Sequence, residues 1–190
     1  MGGEVLPSFT LSGVLPPYHP DVGPTGNGLG RSPYRITPEI LVATFATSPE
    51  RKLLLRSLFK YRQTLRDLGL SGYQWVDGSF VEDVEQNQGR PPGDIDLVTH
   101  VGRPADAADP NTWDDFLTQN WGALFPEDMG LHCFMLDLML PPDVVVSQSV
   151  YWFGLFSHQR NTALWKGIVQ IDLAVDDAAA LAMLEAGDAN

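Results

Sequence analysis

The chain has 190 residues, which suits one domain with a real core and is short for two. No apolar run approaches the roughly 18 residues that a membrane span needs, and a formal net charge of −12 would repel a polyanion unless the basic groups were gathered in one place. Cys133, the single cysteine, excludes an intrachain disulfide; the opening "MGGEVLPSFTLSGVLPP" has no basic and apolar leader pattern, and Leu6 stands where a myristoylation signal wants Ser or Thr. A cytoplasmic location with no membrane partner is therefore expected.

Residues 1–37 are rich in Pro and Gly, with turn chemistry and no sustained period, and read as an extended N-terminal arm ahead of one domain over 38–190. Within the arm, "GNGLGR" lacks a preceding strand and the glycine spacing of a dinucleotide fingerprint, so it reads as a turn. Next, "TSPERKLLLRSLFKYRQTLRDLG" has Ser48 as N-cap, Pro49 at the first helical position and Gly69 as a stop, which predicts a helix at about 49–68. Helical spacing puts Leu53, Leu54, Leu58, Tyr61, Leu65 and Leu68 on one side and Arg51, Lys52, Arg56, Lys60, Arg62 and Arg66 on the other. Half of the twelve basic residues thus lie in a stretch without an acid, and the expectation is a basic outer face, either simply solvated or a contact for an acidic partner or nucleic-acid backbone.

Strands are expected at about 73–77 ("YQWVD"), 94–101 ("DIDLVTHV"), 131–140 ("LHCFMLDLML") and 166–173 ("KGIVQIDL"). Between them come a turn and short helix opening at Gly78-Ser79, a helix at about 111–125 with Asn111 as cap, and a short helix in "SQSVYWFGLFSHQ". "DDAAALAMLEAG" closes the chain as a helix capped at Asp176 or Asp177. Interleaved strands and helices make this an α/β or α+β domain around a mixed sheet.

The chemistry gathers around "WVDGSFVEDVEQNQGRPPGDIDLV". On a strand, residues i and i+2 share a face, so Asp94 and Asp96 would stand side by side with Ile95 turned inward. Carboxylates held that close repel unless a cation sits between them. A Gly-Ser turn leading into a helix offers backbone N–H groups and a hydroxyl with no side chain in the way, which suits the phosphates of a nucleoside triphosphate. Two-metal transfer asks for a third carboxylate, and Asp137, a lone acid in an apolar strand, is the candidate.

The pattern "VDGS…DIDLV", with an acid on a later strand, resembles the nucleotidyltransferase superfamily with the polymerase-beta-type palm. The chain is similar, over most of residues 5–175, to a poorly characterised group of small bacterial proteins within it, through "LPSFTLSGVLPPYHP", "RKLLLRSLFKYRQTL", "WVDGSFVEDVE", "DIDLV", "YWFGLF" and "KGIVQIDL". The resemblance implies a polymerase-beta-type palm of mixed sheet and helices, with Gly78 and Ser79 on the triphosphate, Asp94 and Asp96 as metal ligands, and Asp137 completing the triad. It implies Mg²⁺ or Mn²⁺ as cofactor, an NTP such as ATP as substrate, and transfer of an NMP to a hydroxyl on a protein, a tRNA or another nucleotide. Toxin–antitoxin or phage-defence systems are the settings it suggests. The other reading is a non-catalytic nucleotide sensor or partner-binding module on the same fold.

Each residue also has a plainer reading. Asp94 and Asp96 would then be a polar strand end, Ser79 a helix cap, and Asp137 a core acid paired to a buried base or turned to the sheet edge. Lys166 and Arg160 are either partners of the leaving pyrophosphate or surface charges, and Glu82, Asp83 and Glu85 are expected to face solvent. His19, His100, His132 and His158 lack zinc-site spacing, and "YWFGLF" reads as core or as a wall for a nucleobase.

Overall fold

The computed structural model describes residues 5–24 and 30–187. Its sheet has five strands, β1 (Tyr34–Arg35), β2 (Ser71–Asp77), β3 (Ile95–Gly102), β4 (Leu131–Asp137) and β5 (Val169–Asp172), in the order β1-β5-β2-β3-β4. The edge pairs β1·β5 and β3·β4 are parallel, and β2 is antiparallel to both β3 and β5. This is the mixed-sheet α+β architecture the sequence leads one to expect.

Strand parity divides the core. Val76, Leu97, Val101, Val169 and Ile171 face the larger cluster, built with α1 (Pro38–Phe45), α2 (Pro49–Asp67), α4 (Pro110–Leu124) and α6 (Ala178–Ala186). Trp75, Val98, Leu136 and Ile168 form a smaller cluster under α5 (Pro142–Phe156), while α3 (Val84–Gln88) is a single turn beyond β2. Full burial of Leu55, Leu58 and Leu65 ties α2 to the sheet, each side chain contributing about 1.5–3 kcal/mol. In contrast, α5 buries only Phe156 fully and leaves Val146, Val150, Tyr151 and Leu155 exposed.

Local chemistry sets the helix starts. Ser48 caps α2 by accepting from the Arg51 N–H, with Pro49 in the first turn as anticipated. α4 is capped by Asp109, which accepts from Asn111 and Thr112, so its cap lies two residues before the expected Asn111. α1, unanticipated, has the same device in Thr37 followed by Pro38. β4 ends at Asp137, three residues short of expectation, and the two prolines after it open α5 instead of closing a strand, because Pro142 in a first helical turn loses no hydrogen bond.

The described part of the expected arm runs along the domain. Leu15 is buried, its carbonyl accepts from the Gly167 N–H at 2.6 Å, Val14 bridges Glu82, and the Tyr34 hydroxyl donates to the Pro16 carbonyl. Most of the "GNGLGR" turn lies outside the described residues. Among the described residues, no helix is long and apolar enough to cross a membrane.

The basic face of α2 requires correction. Arg62 is fully buried: its Nε donates to Asp177, and its other nitrogens to Gln74 Oε1 and the carbonyls of Asp172 and Val175. Arg51, also buried, clamps Glu85 and the carbonyls of Phe80 and Glu82. Arg66 donates to Asp177, and Lys52 to the Gly187 carbonyl. Of the six only Lys60 is exposed, while Leu53, assigned to the apolar side, is 66% exposed. The helix is covered on both flanks, by the sheet and by α6, so its arginines cross-link chain segments instead of presenting a charged face.

Candidate active site

Antiparallel pairing sets Asp77, the last residue of β2, directly opposite Asp96 on β3, and parallel pairing sets Asp96 beside His132 on β4. The three side chains therefore share the sheet face that also carries Trp75, Val98 and Phe134. Asp94 lies just ahead of β3. Its Oδ2 and the Oδ1 of Asp96 each lie 3.3 Å from His132 Nδ1, so one imidazole bridges the two carboxylates. The side chains of Asp94 and Asp96 are 34% and 23% exposed, so the pair opens to solvent. Burial, then the neighbouring Asp94 charge, raises the Asp96 pKa above the usual carboxylate range, against the pull of His132.

The Gly-Ser turn is built onto this pair. Gly78 has φ 78°, a left-handed conformation that favours glycine, and a Cβ there would run into the Asp96 carboxylate. Gly78 and Ser79 open a four-residue 3₁₀ turn whose first two residues are half-buried, while Phe80 and Val81 anchor it in the core. Gly78 is thus what allows the turn and the acids to touch.

Beneath the turn lies a charged cluster that sequence reasoning missed. Lys166 Nζ is 3.2 Å from Asp77 Oδ2, donates to Glu82 Oε1 at 2.8 Å, and donates to the Gly78 carbonyl at 3.1 Å. Gln159 Nε2 donates to the other Glu82 oxygen at 2.7 Å. Burial pushes the Asp77 carboxyl up to about 7 despite the pull of Lys166, and its Oδ1 is buried with no hydrogen-bond partner. Burial alone would lower the Lys166 pKa, but Asp77 and Glu82 together raise it. Three expectations change here. Lys166, 2% exposed, holds the turn from below instead of presenting its charge to a phosphate, and Glu82 is buried instead of facing solvent. Glu85 likewise pairs with Arg51, whose hydrogen bonds lead the effects that lower its pKa. The alternation in "YQWVD" was the available signal for Asp77, since it ends the strand on the face of Trp75.

Asp137 is not part of this constellation. It pairs with Val101, five residues further along β4 than His132 and so roughly 16 Å away, and the odd offset turns it to the opposite face. There its Oδ2 accepts from Arg103 Nε and Nη2 at 2.9 and 2.6 Å, and its Oδ1 accepts the Met139 N–H. The expected third metal ligand is instead a core acid paired to a buried base. An acid inside an apolar strand attracts attention, yet the strand's beginning, where His132 stands, is what adjoins Asp96.

Asp94 and Asp96 supply the hard oxygen donors that suit Mg²⁺, which ordinarily takes one or two protein carboxylates and keeps several waters. On the turn side the bare α-carbon of Gly78 packs closely against the Asp96 carboxylate. Among the described residues, no group of three or more His, Cys, Asp or Glu side chains is arranged to hold a metal ion, so a cation here would rest on Asp94 and Asp96 alone.

Fold and site together define a small α+β protein with an acidic pair at the head of a mixed sheet. Residues 7–172 match the Family of unknown function (DUF6932), and the chain belongs to that family. No curated protein and no solved structure matches it.

Proposed function

We propose that the protein is a metal-dependent nucleotidyltransferase on a polymerase-beta-type palm, moving an NMP from an NTP to a hydroxyl acceptor with release of pyrophosphate. The observation that carries this reading is the contact of Gly78 with Asp96: a turn with no side chain, held at positive φ, packed onto a solvent-open carboxylate pair. A cation held by Asp94 and Asp96 would neutralise phosphate charge and polarise the phosphoryl group. Ser79 and the turn amides orient the terminal phosphates, while Lys166, Asp77 and Glu82 fix the turn. The acceptor oxygen bonds to the α-phosphorus as the bond to the bridging oxygen breaks, and the electron pair leaves with pyrophosphate. Asp94, the more exposed acid, takes the acceptor proton.

The net charge of −12 favours a protein side chain or a small nucleotide over a long nucleic acid as acceptor, in keeping with a toxin–antitoxin or phage-defence role. The test is incubation with each α-³²P-labelled NTP and Mg²⁺ or Mn²⁺, alone and with lysate. Label on a protein, RNA or small product that disappears in Asp94→Asn/Asp96→Asn supports the reading; label retained in that variant refutes the mechanism.

A second reading, nucleotide sensing without turnover, draws on His132, an imidazole where a third acid would complete a two-metal set. It expects NTP binding with no pyrophosphate released by the wild-type protein.

A further inference from the structure

On the sheet face that carries Asp96, a cleft of about 590 Å³ opens between β2, α5 and the segment that leads into β5. Trp75 of β2, Val150, Phe153 and Gly154 of α5, and Trp165 line it. We propose that this cleft seats the nucleobase of the nucleotide whose phosphates face Asp94 and Asp96. The inference rests on the nucleotide reading above and names the substrate part that the acidic site leaves unbound.

Position is the first argument. Trp75 and Asp77 are two residues apart on one face of β2 and Asp77 pairs with Asp96, so the Trp75 row of the sheet lies roughly 6.6 Å along the strand from the row that carries Asp96, a spacing of the order of a ribose. The walls are wired to the same site. Trp165 precedes Lys166, which holds the Gly78 turn, and Gln159, just past His158 on the cleft rim, donates to Glu82 under that turn.

Chemistry is the second. Trp165 is 48% exposed and Phe153 half-buried, and exposed aromatic surface beside an apolar cleft suits contact with a π-system. The Trp75 indole N–H donates to Gln170 Oε1 at 3.1 Å, and its ring packs against His100 and edge-on to Phe153, so the residue is fixed with only a small exposed surface toward the cleft. The volume lies within the range of small-molecule sites. A few polar groups sit on the rim, among them His158, whose Nδ1 lies 3.0 Å from the Gly154 carbonyl and 3.1 Å from Ser157 Oγ.

The experiment is calorimetric titration of the full chain with ATP, GTP, CTP, UTP and inorganic tripolyphosphate in Mg²⁺, and with the matching nucleosides without metal. The variants are Gly154→Leu and Trp165→Ala. A Cβ on Gly154 meets nothing within 4 Å, so leucine fills the cleft without strain in the helix. The expected result is that at least one NTP binds tenfold or more tighter than tripolyphosphate, and that Gly154→Leu removes this advantage while tripolyphosphate binding and the melting temperature stay unchanged. NTP and tripolyphosphate binding alike in the wild type, or undiminished NTP binding in both variants, overturns the inference. Nucleoside binding that persists in a protein devoid of transferase activity upholds the cleft while counting against turnover, and transfer that ignores both variants does the reverse.

Discussion

His132 Nδ1 and Asp96 Oδ1 lie 3.3 Å apart on neighbouring parallel strands, with Asp94 Oδ2 at the same distance from the same nitrogen. The imidazole is thus the internal partner that lets two like charges share the head of β3. Protons would compete with the proposed cation for this pair, so its affinity should fall as pH drops through the raised Asp96 pKa. His132→Ala removes a contact that lowers that pKa, so its loss of affinity should begin at a higher pH than in wild type. Manganese binding followed by electron paramagnetic resonance across the acid-to-neutral range checks this; coincident curves would contradict it.

Asp137 and Arg103 form a nearly buried pair at the far end of the sheet, with Arg103 also over the Trp113 ring at 5.4 Å. Asp137→Ala leaves the guanidinium without its carboxylate and should cost about 3–5 kcal/mol in urea unfolding. Cation and nucleotide affinity at the acidic pair should be unchanged under conditions where the variant is folded. A selective loss of affinity with intact stability would put Asp137 back among the site residues.

Gly78→Ala forces a Cβ into the Asp96 carboxylate and places alanine at φ 78°. The expected cost is about 1–3 kcal/mol of stability, together with at least a tenfold loss of cation affinity as Asp96 swings away. Gly89 has φ 64° and open space around its α-carbon, so Gly89→Ala pays the backbone strain without the collision. Cation affinity retained in Gly78→Ala would show that the close approach is unimportant.

His100 is buried with both ring nitrogens unpartnered, stacked 4.5 Å from Tyr73, and burial drops its pKa to about 4. The folded state holds it neutral while the unfolded chain takes up a proton below about 6.5. Its contribution is therefore complete above that pH and is lost as pH falls toward 4, amounting to about 3 kcal/mol. Asp77 acts in the opposite sense, since a carboxyl raised to about 7 favours the fold most below the ordinary Asp pKa and loses that advantage as pH rises through 7. Comparing chemical denaturation of wild type and His100→Phe isolates the histidine: the variant should be flatter with pH between 6.5 and 4. Parallel profiles would contradict the assignment.

Elements with a strong local signal were legible in the sequence. α2 begins at the Ser48 cap and Pro49 as read, and β2 and β3 lie within two residues of their expected bounds because β-rich runs end at glycine or proline turns. The closeness of Gly78 to Asp96 was legible too, since β2 and β3 are consecutive strands paired antiparallel. What failed depended on the long-range register. Whether an acid of β4 meets Asp96 is set by which β4 residue lies opposite it, and a shift of five residues changes both the end and the face. The arginines of α2 mislead for a related reason: helical periodicity assigns a side, but only the docking of α6 shows that Arg62 would meet Asp177, 115 residues away. α1 and α5 were missed or shortened because their apolar stretches carry little helical asymmetry, and their first turns contain prolines that read as breaks.

Asp94 and Asp96 are proposed to form a divalent-cation centre that engages a nucleoside triphosphate. The most direct measurement is calorimetric titration of Mn²⁺ and a non-hydrolysable NTP into wild type and Asp94→Asn/Asp96→Asn, with folding checked by circular dichroism. The account predicts that the NTP binds wild type at least tenfold tighter with Mn²⁺ than without it, and that the double variant, still folded, loses this dependence. Equal metal-dependent binding by both proteins would contradict it.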